Sequence, residues 1–137
     1  MLEEEYINKI KGKLSDLEQA LIAWKKALDA PFSDLNRDAT IQRYKFSFEL
    51  LWKTVKMYLK EYEGIELNSP KACFREIRVI LDLSEENIEQ CMAMTDDRNL
   101  SVHTYSEKMA NELYARLAQY WQIADLIAGK IKEKANL

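Results

Sequence analysis

Histidine is nearly missing from this chain: His103 is the only one in 137 residues. The two cysteines, Cys73 and Cys91, lie far apart and form no CxxC pair, so no sequence-local zinc site can be built. They read as small buried hydrophobes in a reducing compartment. Glycine (3) and proline (2) are scarce, which favours long helices with short connections over a turn-rich fold. No apolar run approaches the ~20 residues needed to cross a bilayer. The acidic opening, Met1-Leu2-Glu3-Glu4-Glu5, does not resemble a secretory leader. These absences lead us to expect a soluble, cytoplasmic protein. Nor is there a cationic excess: the formal net charge is −3, so any RNA contact needs a local basic patch, such as one assembled across a dimer.

Hydrophobic residues make up 47% and charged residues 31%, enough apolar material for one globular domain over residues 1–137. Ile10, Leu14, Leu17, Leu21, Trp24 and Leu28 alternate steps of four and three, predicting a helix over about residues 3–29 that ends at Pro31. A second stripe, Ile41, Tyr44, Phe48, Leu51, Val55, Tyr58 and Tyr62, predicts a helix capped by Asn36 or Asp38 and closed by Gly64. Phe46, Leu50, Trp52 and Met57 widen its apolar face. Ser69-Pro70 starts a short helix that carries Cys73, Phe74, Ile77 and Ile80 inward and ends near Leu83. Ser84 caps a fourth helix whose Ile88, Cys91 and Met92 face the core. The last helix begins at Thr104, in a capping box with Glu107, or at Ser106. Its stripe is Ala110, Leu113, Leu117, Tyr120, Ala124, Ile127 and Ile131. No stretch alternates with a two-residue period, so the expected fold is all-α: an antiparallel up-and-down four-helix bundle with a short extra helix.

The chemistry concentrates in Asp96-Asp97-Arg98-Asn99-Leu100-Ser101-Val102-His103-Thr104-Tyr105. Arginine grips phosphate through a planar fork, and histidine moves protons near neutral pH. On an unbroken helix Arg98 and His103 stand ~140° apart around the axis. Start signals at Thr104 and Ser106 predict instead that the helix ends between them and that a turn brings His103 back, with Asp96 and Asp97 orienting or screening the arginine. From the residues alone a plainer role stays open, in which Arg98 pairs with a nearby acid, His103 caps a helix end and Tyr105 covers the end of the bundle. Arg43, Lys45 and Lys108 are further cations to which the sequence assigns no role.

The string RNLSVHTY, Arg98-x4-His103-x-Tyr105, resembles the signature of HEPN-domain proteins of the HepT type. IQRYKFSFELLWKTVKMYL, from Ile41 to Leu59, resembles that group too, as does Ser69-Pro70 followed by Phe74-Arg75-Glu76. Arg78-Val79-Ile80 departs from the glycine-containing stretch expected there. The resemblance implies a HEPN bundle that dimerises and partners a small nucleotidyltransferase. It further implies a toxin that cleaves RNA without metal or cofactor, with Arg98 and His103 catalytic and Tyr105 silenced by nucleotidylylation. Asp97, Asn99 and Thr104 would support the site. Proton transfer to and from RNA needs both an acid and a base, and one chain has one histidine, so two copies would share the site. The alternative is a non-catalytic subunit that presents a substrate or nucleotide to the nucleotidyltransferase.

Overall fold

The computed structural model describes the backbone of residues 2–103 and 106–137 and the side chains of residues 4–99 and 106–137. Among these are five helices and no strand: α1 (Leu2–Asp29), α2 (Asp34–Glu63), α3 (Pro70–Ile80), α4 (Glu85–His103) and α5 (Glu107–Lys134). The fold is the expected all-α bundle.

Local chemistry sets each boundary. Ser33, not Asn36 or Asp38, caps α2: its backbone is extended and its hydroxyl accepts from the Asn36 N–H at 3.0 Å. The two residues expected as caps have other tasks. The Asn36 amide donates to the Ala27 carbonyl at 3.0 Å, closing the α1–α2 turn, and Asp38 accepts from Arg37 Nε at 3.0 Å. Gly64 ends α2 in the left-handed region at φ 68°, its N–H returning to the Leu59 carbonyl. Ser69 and Pro70 open α3 as expected. Asp82, left-handed at φ 53°, stops the chain just beyond Ile80, short of the expected end near Leu83. Ser84 and Asn87 exchange reciprocal bonds of 3.0 Å at the start of α4. Ser106 accepts from the Met109 N–H at 3.1 Å and caps α5. Thr104, the other candidate cap, lies outside the described residues.

Helices α1, α2 and α5 pack on one another around the stripes read from the sequence, and α3 fills most of the space between α2 and α4. Trp24, Tyr44, Leu51, Tyr58 and Phe74 are fully buried or nearly so. Phe74 of α3 meets Phe48 of α2 with ring centroids 6.1 Å apart. Burying a side chain of that size stabilises by roughly 2–3 kcal/mol, and with Cys73 and Ile77, also fully buried, Phe74 fastens α3 to the bundle. One side chain departs from the expected pattern: Phe46 is 64% exposed rather than widening the apolar face of α2. On α4, Ile88 and Met92 pack half-buried against the core, and Met94 joins Cys91 as fully buried. Both cysteines are buried, and burial alone pushes the Cys91 thiol up to about 12. Among the described residues no helix is long and apolar enough to cross a membrane.

Candidate functional site

The segment of α4 that leads into the motif is tied to every neighbouring helix. The Tyr44 hydroxyl of α2 donates to the Met94 carbonyl at 2.6 Å, inside the core. Lys71 of α3 pairs with Asp96 at 2.6 Å. Asp97 takes a forked pair of bonds from Arg116 of α5, at 2.8 and 3.0 Å, and a third from the Tyr120 hydroxyl at 2.5 Å. Arg98 reaches back to α2, with Nη2 3.4 Å from Oε1 of Glu49. Glu49 is itself held on α2, because Trp52 Nε1 donates to its other oxygen at 3.1 Å and Lys53 lies 4.0 Å away. The side chain of Arg98 is 22% exposed.

Electrostatics match this arrangement. Burial first, and then the Asp97 charge, pushes the Tyr44 hydroxyl far above its ordinary value. Burial, followed by the bond to Asp97, does the same for Tyr120, and the two rings stack 6.0 Å apart. Both hydroxyls therefore stay protonated as donors. The bond to Asp97 strengthens the proton hold of Arg116 despite partial burial. Lys45, half-buried on α2, is pushed down by burial and then by the neighbouring Arg98.

A second clamp lies where α2 and α5 begin. Arg37 is only 3% exposed and bonds to Asp38 Oδ1 and to Asn111 Oδ1, each at 3.0 Å, with Glu107 at 3.8 Å. The start of α5 is thereby locked to α2. Residues 99–105 run between two anchored points, Arg98 on one side and the Ser106 cap on the other.

One expectation is corrected. Helix α4 does not end between Arg98 and His103; its backbone is helical through His103. The i to i−4 ladder continues because no glycine or proline interrupts 98–103. The two Cα positions therefore stand ~140° apart around one axis. Asp97 is committed to Arg116 and Tyr120 of α5, and Asn99 is exposed. The His103 side chain, Thr104 and Tyr105, and with them the expected meeting with Arg98, lie outside the described residues. Sequence reasoning missed Glu49, Trp52, Arg116 and Tyr120 as neighbours of the motif. A signal existed for the first two: Glu49, Trp52 and Lys53 are spaced i, i+3, i+4, which places them together on one helix face. Arg43 turns away, donating to the Ala23 carbonyl of α1 at 2.7 Å. Among the described residues no cluster of three or more side chains is placed to hold a metal ion.

No curated protein matches the chain. A crystal structure of a protein from Thermus thermophilus is similar in both sequence and fold, at 37% identity and a TM-score of 0.80. The match covers 85% of this chain and 98% of that one. The family model described as "nucleotidyltransferase substrate binding protein like" matches residues 10–133, which take in all but the extreme ends of the bundle. The chain belongs to the nucleotidyltransferase substrate-binding-protein-like family.

Proposed function

We propose that this chain is the partner subunit of a small nucleotidyltransferase and that it presents a nucleotide or substrate from the Arg98 end of α4. The observation that carries this reading is the guanidinium of Arg98, 3.4 Å from Glu49 and part-exposed, in a chain matched to that family. A cation with a fixed orientation recognises phosphate without needing a proton-transfer partner. We place the complex in the cytoplasm, which the free, buried cysteines support.

A second reading keeps the motif catalytic, as a metal-independent ribonuclease toxin of the HEPN type. Arg98 and His103 act across a homodimer, and nucleotidylylation of Tyr105 silences them. The continuity of α4 favours a shared site over one built within a single chain. A nucleotidyl group two residues from His103 adds bulk and negative charge, which repel an RNA strand.

The test mixes the purified chain with its small nucleotidyltransferase and measures complex formation by analytical ultracentrifugation. RNA cleavage by the chain alone is assayed in EDTA, and the mass of Tyr105 is determined in the same sample. A stoichiometric complex with no cleavage by unmodified chain is the expected result. Cleavage lost in both Arg98→Ala and His103→Ala would transfer the assignment to the ribonuclease. Neither complex nor cleavage would overturn both readings.

A further inference from the structure

We propose that the groove between α1 and α2 is a twofold interface with a second copy of this chain, and that Phe46 is its knob. The groove has a volume of about 440 Å³, and among the residues lining it are Asp16, Ala20 and Ala23 of α1 and Arg43, Phe46 and Leu50 of α2. Phe46 is 64% exposed, so a large aromatic ring stands in water beside a recess edged by small side chains. Knob and recess share one face. A twofold pair requires this, because each copy must offer both halves of the contact.

The charges of the groove are self-complementary as well. Of the described residues lining it, only Asp16 and Arg43 are charged, and neither has an ion-pair partner among the described residues. Two hydrogen bonds fix the register of α1 against α2: Asn36 donates to the Ala27 carbonyl at 3.0 Å, and Arg43 to the Ala23 carbonyl at 2.7 Å. Arg43 is therefore level with Ala23. The antiparallel helices then set Phe46 level with Ala20, ~4.5 Å along the bundle, and Asp16 ~10 Å along it. Phe46 thus stands about midway between the two charges. A twofold axis lying in the interface between them sets Asp16 of each copy against Arg43 of the other, so the match is made twice. The same axis passes beside Phe46 and seats its ring over the small side chains of the other copy. The inference rests on neither functional reading above, although it supplies a face for the dimer that the ribonuclease reading requires.

The experiment is sedimentation equilibrium of the full chain over a range of concentrations. It compares wild type with Phe46→Glu, Phe46→Ala, Asp16→Arg and Arg43→Asp, and with Val79→Glu as a control at an exposed apolar residue of α3. Wild type is expected to dimerise, with Phe46→Ala weakening the dimer about tenfold and Phe46→Glu more than that. Each charge reversal alone should cost about tenfold, because it brings like charges together at two places. An equimolar mixture of the Asp16→Arg and Arg43→Asp chains should recover to within about threefold of wild type, since every pair across the mixed interface is again opposite. A purely structural role for either residue gives no such rescue. Arg43→Asp also gives up the bond to Ala23; the Phe46 variants disturb no hydrogen bond of that kind and carry the test if that chain is unstable. The inference is overturned if wild type sediments as a monomer throughout, if both Phe46 variants dimerise as wild type, if Val79→Glu loses as much, or if the mixture is no tighter than its parts. Complex formation with the nucleotidyltransferase is measured on the same samples. A complex lost in Phe46→Glu while self-association is kept assigns the groove to that partner and overturns the inference. Charge rescue in a dimer that cleaves no RNA in EDTA upholds this interface and removes the ribonuclease reading alone.

Discussion

Arg98 of α4 and Glu49 of α2 face each other across a helix seam at 3.4 Å, and Glu49 is anchored from behind by the Trp52 indole. An arginine beside a freely rotating acid would be neutralised in many geometries. An arginine beside an anchored acid keeps one orientation, and on the proposed partner reading that orientation serves a phosphate. The function of such an arrangement depends on the fork and not on charge alone. Arg98→Lys is therefore expected to lose affinity for metal-free ATP by about tenfold although the charge is kept. Glu49→Gln should change folding stability by no more than about 0.5 kcal/mol, since the pair is partly open to solvent. Calorimetric titration and urea melts measure the two effects separately. An Arg98→Lys chain that binds as wild type would remove the case for a fork.

Asp97 tests how firmly the approach to the motif is built. Its carboxylate is largely buried and accepts three bonds, two from Arg116 and one from Tyr120. Asp97→Ala leaves the Tyr120 hydroxyl without its acceptor and frees Arg116, which is already part-exposed. The expected cost is about 2 kcal/mol, most of it from the Tyr120 side. Equilibrium unfolding in urea reports it. Asp97→Asn should cost less, because an amide oxygen still accepts from Tyr120.

Much of this architecture was legible from apolar spacing, because a helix that buries one stripe must repeat hydrophobic residues at three and four. Every stripe residue named on α5, from Ala110 to Ile131, is buried. The caps at Ser69 and Ser84 and the stop at Gly64 were legible for the same kind of reason: each is a local backbone requirement with few chemical solutions. The start of α2 was not, because Ser33, Asn36 and Asp38 are all competent caps. Tertiary contacts decided among them, with Asn36 drawn to Ala27 and Asp38 to Arg37. The partners of Asp97 and Arg98 were hidden for a related reason. Arg116 and Glu49 lie 19 and 49 residues away, and no local pattern indicates which of many surface charges will meet. The motif itself was visible only as a string. Its helix runs on through His103, where start signals beyond it had implied an earlier end.

Three tyrosines give the fold a pH limit on the alkaline side. Burial, the leading cause in each case, raises Tyr44 and Tyr120 well above the ordinary value and lifts Tyr58 to about 12. In the unfolded chain the same groups ionise near pH 10. The folded state thus holds protons that the unfolded state releases, and stability falls as pH rises above about 10. Below that pH the contribution is fully present. Absorbance at 295 nm should show Tyr44, Tyr58 and Tyr120 ionising only as the helix signal is lost. Tyr120→Phe should shrink that phase. A single normal titration ahead of unfolding would contradict the protonated Tyr44–Asp97–Tyr120 cluster.

The continuity of α4 makes a prediction about concentration. Arg98 and His103 lie on one helix, their Cα positions ~140° apart. The chain has one histidine, whereas metal-independent RNA cleavage needs a proton acceptor and a proton donor. On the ribonuclease reading that shortage is met by a twofold pair of chains, and the active species is the dimer. Cleavage rate should then rise with the square of protein concentration where the monomer predominates, and linearly once dimers are saturated. Rates in EDTA over a dilution series, set beside sedimentation of the same samples, give both regimes. Linear dependence down to concentrations at which the chain sediments as a monomer would mean that one chain cleaves with a single histidine.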